Sequence, residues 1–295
     1  MSERETLSER LAFRAYATIE RVARALPERS GRWIFALCAR LAHKVMPRVR
    51  QTVVANQARV LGLPEDDALV RASTREAFGL YARFWFDSFR LRDLEPGEAV
   101  DRFGGEGMEN LDRALAAGKG AIAVTLHMGN WDAAGHWFAE LGYPIVAVAE
   151  ALRPKRLQEL FLEQRRALGM RIVPLSGDNV GRRLAAELKA GAVVALVADR
   201  DLAGRGIEVE MFGKPRRLPA GPAMLALSTG APILLCPSFT TERGSMCRIQ
   251  PPIEFEPSGK TKDDVRALTR LLAREFERLI SERPADWHMF QPAWT

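Results

Sequence analysis

"AIAVTLHMGNWDAAGHW", residues 121–137, decides the fold. A run of β-forming apolar residues halts at His127, a short spacer holding Gly129 and Asn130 follows, and Asp132 opens a helical pattern. The strand is continuously apolar rather than alternating, which marks burial on both faces, as in a parallel sheet. Outward from it the same unit repeats. "YPIVAVAE" (143–150), "MRIVPL" (170–175), "AVVALVAD" (192–199), "IEVEMF" (207–212), "APILLCPSF" (231–239) and "MCRIQPPIEF" (246–255) read as further strands. Helical patterns lie between or beyond them at 107–117, 131–141, 155–168, 178–190, 220–229 and 262–282. Strands alternating with helices predict an α/β fold, a mostly parallel central sheet flanked by helices on both faces.

The first ninety residues read differently. Leu11, Ala15, Ile19, Val22 and Leu26 recur at helical spacing, as do Trp33, Ile34, Leu37, Leu41 and Val45. A third helix is expected over about 66–91, ending in the aromatic run "GLYARFWFDSF" (79–89), while Pro47 and "GLP" (62–64) punctuate the stretch between. The expected organisation is one domain over 1–295. Residues 1–95 form a helical, membrane-facing extension and 96–295 the α/β catalytic core.

Charge supports that division. Residues 1–60 hold 12 Lys/Arg against 5 Asp/Glu, and the remainder is close to balanced at 31 against 32. A basic end on a neutral body suits an anionic surface. Nucleic acid is disfavoured because aromatic residues do not interleave with basic ones in a known module. Three unpaired cysteines, Cys38, Cys236 and Cys247, fit a reducing compartment. No secretory signal opens the chain, and the longest early apolar run, Trp33 to Ala39, is far short of the roughly 20 residues that span a bilayer. The expected location is peripheral, on the cytoplasmic side of the cell membrane.

His127 falls at the carboxyl end of its strand, where open α/β sheets place their ligands. Gly129 frees the backbone and Asn130 suits the cap of a helix starting at Trp131, so "HMGNWD" can fold the imidazole toward Asp132. The expectation is a general base, His127, oriented by Asp132. A strand-ending histidine and an aspartate favoured by the helix dipole would produce the same string. Strand-end position, a small spacer and the lack of a rival centre favour the base. No G-x-S-x-G elbow is present. A base without a protein nucleophile acts on a substrate hydroxyl, by direct group transfer, or on water, as an esterase or thioesterase. A noncatalytic membrane-surface protein is the third alternative.

Other polar candidates end neighbouring strands. Glu150 and Arg153 follow the second. Asp199, Arg200 and Asp201 end another, a cluster suited to binding substrate hydroxyls or to supporting the base, with Asp201 chosen as a second catalytic acid and the other two for substrate binding; a self-satisfied ion-pair turn is the alternative. Glu208 is a weaker option. Lys214, Arg216 and Arg217 sit in "GKPRRLPAG" (213–221), read as a loop whose charge either meets substrate phosphates or is plain surface charge, the second being favoured. His136 reads as a core or surface histidine, and His43 and His288 as unpartnered. No four ligands fall at metal-site spacing, so no metal is expected, and no G-x-G-x-x-G follows a strand. The glycines of "FGGEGMEN" (103–110) read as a helix start.

The His-x4-Asp block resembles that of the glycerolipid acyltransferase superfamily. "HMGNWD" is most similar to the phosphatidylinositol mannoside acyltransferases, relatives of the lipid A late acyltransferases. "VAVAEALRP", "EQRRALGMRIVPL", "VALVADRDL", "IEVEMFGKPRRLPAGPAMLAL" and "FERLISERPADWHMFQPAW" resemble that family's later blocks, in its order. Asp132 departs from the Glu usual in the lipid A branch and fits the mannoside branch. The resemblance implies fatty acyl-CoA as co-substrate, no cofactor, and a mannose 6-hydroxyl of a phosphatidylinositol mannoside as acceptor. Lipid A-type and lysophospholipid acceptors share the chemistry. It also implies that Asn130, Glu150, Arg153 and Arg165 meet the substrates, with Arg165 near CoA or the acceptor head group. Oxyanion donors are left to backbone N–H groups or an arginine.

Overall fold

The computed structural model describes residues 6–149, 154–175, 179–201 and 204–294. Four helices come first: α1 (Leu7–Ala25), α2 (Glu28–Val45), α3 (Pro47–Leu61) and α4 (Ala68–Arg90). The punctuation after Met46 conceals a helix. Pro47 sits in the first turn of α3, where its missing N–H costs nothing, and Gly62 closes it in the left-handed region. Both α1 and α2 pack on α4. At the α2–α4 contact a Cβ on Gly31 would lie 2.3 Å from the Phe86 ring, so glycine lets the helices close over that buried side chain. The apolar stripes of the first two helices face outward instead. Leu7, Leu11, Ile19 and Val22 are exposed on α1, and Trp33, Leu37, Leu41 and Val45 on α2.

The chain continues through α5 (Glu98–Arg102), β1 (Phe103–Glu106), α6 (Met108–Ala116), β2 (Ala121–Thr125), α7 (Trp131–Glu140) and β3 (Ile145–Ala149). Next come α8 (Lys155–Ala167), β4 (Arg171–Pro174), α9 (Val180–Lys189) and β5 (Val193–Val197). The last part holds β6 (Ile207–Met211), β7 (Lys214–Leu218), α10 (Gly221–Thr229), β8 (Ile233–Leu235), β9 (Ser238–Thr240), β10 (Ser245–Arg248) and α11 (Thr261–Glu282). Five strands form the central sheet in the order β4-β3-β5-β2-β8, and every neighbouring pair is parallel. The expected α/β class and helix-flanked parallel sheet are what the chain builds.

Two strands differ from the sequence reading. Residues 103–106 pair with β10 as β1 before the expected helix begins at Met108. Residues 214–218, read as loop, pair antiparallel with β6 as β7. Pro215 is tolerated there because a two-stranded ribbon leaves one edge of each strand unpaired.

Successive side chains of the central strands enter opposite cores. Ile122, Val124, Val146 and Val194 pack with α9, α10 and α11 residues such as Leu188, Ala223 and Phe276. Ala121, Ala123, Ile145 and Val193 pack with Trp137 and Phe138 of α7 and with Leu111. Burying each large aliphatic or aromatic side chain contributes roughly 1.5–3 kcal/mol, which makes the sheet a rigid platform for its carboxyl edge.

Candidate active site

The turn after β2 is built by glycine and held from outside. Gly129 has φ 53°, and a Cβ there would sit 2.5 Å from the Ser238 carbonyl oxygen, so both conformation and space demand glycine. Its N–H donates to the Asp286 carbonyl at 3.1 Å, and the His127 carbonyl accepts the His288 N–H at 2.7 Å. The segment beyond α11 thus straps the turn. Asn130 caps α7 as expected, its Oδ1 accepting the Ala133 N–H at 2.9 Å. It is buried, and the same oxygen accepts from the Ser88 hydroxyl at 3.3 Å.

His127 has a carboxylate partner, and it is Asp199 rather than Asp132. The imidazole Nδ1 lies 2.6 Å from Asp199 Oδ1, and the His127 backbone N–H donates to the same oxygen at 3.2 Å. Sheet register explains the meeting. Thr125 of β2 is level with Val197 of the adjacent parallel strand β5, so two residues on, His127 is level with Asp199. The Trp287 indole N–H donates to Asp199 Oδ2 at 2.8 Å, and Arg216 Nη2 donates to the Asp199 main-chain carbonyl. Asp199 is 0% exposed. Burial alone would raise its carboxyl. The His127 charge and hydrogen bond, Arg216 and the Trp287 indole outweigh burial and hold it well below the usual carboxylate range. An ionised carboxylate only accepts, so Nδ1 carries the hydrogen, and in the neutral imidazole Nε2 presents a lone pair. The imidazole is partly exposed, with the Trp131 ring edge-on at 5.1 Å.

Asp132 serves another partner. Arg165 of α8 donates through Nε to Oδ1 at 2.8 Å and through Nη2 to Oδ2 at 3.5 Å. The Asp132 charge raises the Arg165 guanidinium. A residue one step into the helix points where α8 arrives, and a guanidinium fork satisfies both carboxylate oxygens at once. Trp131, Asp132 and Arg165 line a cavity of about 70 Å³ between α7 and the sheet. Its remaining walls are mainly apolar, with Ala147, Ala195 and Ala123 in register across β3, β5 and β2.

A separate, polar cleft of about 730 Å³ is lined by Arg200, Asp201, Glu208, Arg216, Arg217 and Gln291 among others. Asp201, expected as a catalytic acid, accepts the Gly206 N–H at 2.6 Å. Arg200 donates to Gln291 Oε1 at 2.5 Å, and the exposed Glu208 lies 4.0 Å from Arg217. Arg216, read as surface charge on a loop, is buried on β7 against Trp287 and Trp294. His288, read as unpartnered, is buried with Nε2 3.0 Å from the Gly129 carbonyl. His136 is buried as a core histidine, and the His43 ring meets Phe78 edge-on. Glu150 and Arg153 lie outside the described residues.

Trp131 joins the imidazole to the apolar cavity and Arg216 joins its acid to the polar cleft. An imidazole held by a buried carboxylate, and linked to both spaces through its neighbours, is an arrangement able to take a proton from a hydroxyl. Residues 3–295 match the family described as bacterial lipid A biosynthesis acyltransferase. The chain belongs to that family and is an acyltransferase. It is 39% identical over 293 residues to the phosphatidylinositol mannoside acyltransferase of Mycobacterium tuberculosis, covering 95% of this chain and 87% of the relative. The Mycolicibacterium smegmatis enzyme of the same name is 37% identical over 287 residues, covering 95% and 90%.

Proposed function

We propose that the enzyme moves a long-chain, palmitoyl-like acyl group from acyl-CoA to the mannose 6-hydroxyl of a phosphatidylinositol mannoside, at the inner face of the cell membrane. The observation that carries the reading is the His127–Asp199 pair, linked through Trp131 to an apolar cavity and through Arg216 to a polar cleft. The relatives' names support the acceptor. His127 Nε2 takes the proton of the acceptor hydroxyl as its oxygen attacks the thioester carbonyl. Asp199 stabilises the imidazolium that forms. Collapse of the tetrahedral adduct breaks the carbon–sulfur bond, and the imidazolium returns its proton to the departing thiolate. The first carbons of the acyl chain enter the apolar cavity beneath α7, with Asp132 and Arg165 at its polar end.

Membrane contact falls to the outward stripes of α1 and α2. Among the described residues no helix is long and apolar enough to cross a bilayer. Trp33, 66% exposed, and seven aliphatic side chains on two basic-flanked helices suit an interfacial position. In vesicle sedimentation, Leu11→Glu with Leu37→Glu is expected to weaken binding to anionic vesicles at least tenfold, each buried side chain contributing roughly 1.5–3 kcal/mol. Unchanged sedimentation would remove this surface from the proposal.

The decisive experiment gives purified protein palmitoyl-CoA with a mixture of phosphatidylinositol mannoside, lysophospholipid and a lipid A precursor, and reads products by mass spectrometry. One added palmitoyl group on the mannoside is expected, and His127→Ala should lower its rate by about 10²–10⁴-fold. Free palmitate released at full rate without acceptor would make the protein a hydrolase.

A further inference from the structure

The polar cleft contains a donor that the proton relay does not use. Arg216 is 7% exposed, its guanidinium lying 5.2 Å from the Trp287 ring centre and 5.5 Å from that of Trp294. Nη2 is spent on the Asp199 carbonyl. Nη1 is buried and, among the described residues, has no hydrogen-bond partner. A buried, unpaired N–H on a cation is costly, and such groups are rare unless something completes them. The other charged groups of the cleft are at least partly engaged: Arg200 with Gln291, Asp201 with the Gly206 N–H, and Arg217 loosely with Glu208.

We propose that this cleft binds a phosphate group of the substrate, that Arg216 Nη1 donates to a phosphate oxygen, and that Arg216 is thereby a positioning residue for Asp199. The choice of phosphate rests on the acyl-CoA and phospholipid substrates proposed above. Guanidinium is the side chain suited to phosphate oxygens, and two aromatic faces keep its fork from rotating. Arg200 and Arg217 add charge on the same walls, while Asp201 and Glu208 suit hydroxyls beside the phosphate. Because one guanidinium touches both cleft and dyad, an occupant that completes Nη1 also fixes the backbone that aims Asp199 at His127. The phosphate comes either from the nucleotide end of the donor or from the phosphodiester of the acceptor.

Calorimetric titration of the full chain in 0.15 M NaCl separates these sources. Adenosine 3′,5′-bisphosphate stands for the donor and glycerophosphoinositol for the acceptor, with adenosine and inositol as phosphate-free counterparts. One phosphate compound is expected to bind at least tenfold more tightly than its counterpart, a difference of about 1.4 kcal/mol. Arg216→Lys should weaken it about tenfold, and Arg217→Gln, an exposed position that keeps the fold safe, about threefold. In the transfer assay Arg216→Lys should raise the KM for the substrate carrying that phosphate and also lower kcat, which a remote structural defect would not split by substrate. Equal binding of phosphate and phosphate-free compounds, or unchanged affinity in both variants, overturns the inference. Protein that transfers acyl groups yet binds neither compound sinks this inference alone. Protein that binds one of them but transfers nothing sinks the acyl-transfer reading instead.

Discussion

Two regions of the sheet's carboxyl edge each offer an aspartate, and they use it in opposite ways. At the end of β5, Asp199 is fully buried, accepts from His127 and Trp287, and stays ionised against the pull of burial. At the start of α7, Asp132 is paired with Arg165 beside the apolar cavity. The difference teaches where an orienting acid comes from. A carboxylate in a helix's first turn is already stabilised by the dipole and is readily taken by an arriving arginine. A carboxylate at a strand end is set level with the base by the sheet itself. Closeness in sequence favoured Asp132; closeness in register selected Asp199.

The comparison breaks most sharply at Asp199. Asp199→Asn preserves shape but turns an acceptor-only group into one that donates, which favours the wrong imidazole tautomer. A loss of about 10³-fold in transfer rate is expected, with circular dichroism unchanged. A loss within threefold, or one smaller than that of Asp132→Asn, would reverse the assignment. Asp132→Asn should cost about tenfold, the kinetic equivalent of roughly 1.4 kcal/mol, because it weakens one charge-assisted contact near the apolar cavity and leaves the His127–Asp199 pair intact. Arg165→Gln should cost the same. The double variant should be no worse than either single one, since both remove the same pair. Additive losses in steady-state assays would show that Asp132 acts elsewhere too.

Much of this arrangement was legible in the chain, and what was not has a common cause. The apolar strings "GAIAVTLH" and "AVVALVAD" stop on His127 and Asp199, the two residues that meet. Strand order was the missing fact. Nothing local says that β5 lies beside β2, so the sequence alone leaves the cluster at 199–201 between substrate hydroxyls and support of the base, and does not single out Asp199. Arg216 was hidden because Pro215 and three basic neighbours make β7 look like a loop, and pairing with β6 is what turns its side chain inward. Trp287 and His288 lie some 160 residues beyond the turn they support, a contact made only when the tail runs back under the sheet edge. Cap chemistry is local, and so Asn130 was readable.

The smallest expected effect concerns the turn that separates the two aspartates. His288 Nε2 donates to the Gly129 carbonyl at 3.0 Å, its backbone N–H holds the His127 carbonyl, and its Nδ1 is buried without a hydrogen-bond partner among the described residues. Burial, and secondarily the neighbouring His127, push the imidazole down to about 3. In the unfolded chain a histidine takes up its proton near 6.5. Between those values the unfolded state binds the extra proton, so stability is complete above about 6.5 and falls as pH drops through the window, at up to roughly 1 kcal/mol per pH unit. His288→Gln keeps an N–H donor for Gly129 and removes the titration. Urea midpoints at pH 7, 6, 5 and 4 should therefore decline more steeply for the wild type than for the variant, with equal m-values. Parallel declines would mean that the strap holding His127 in place is insensitive to acid over this range.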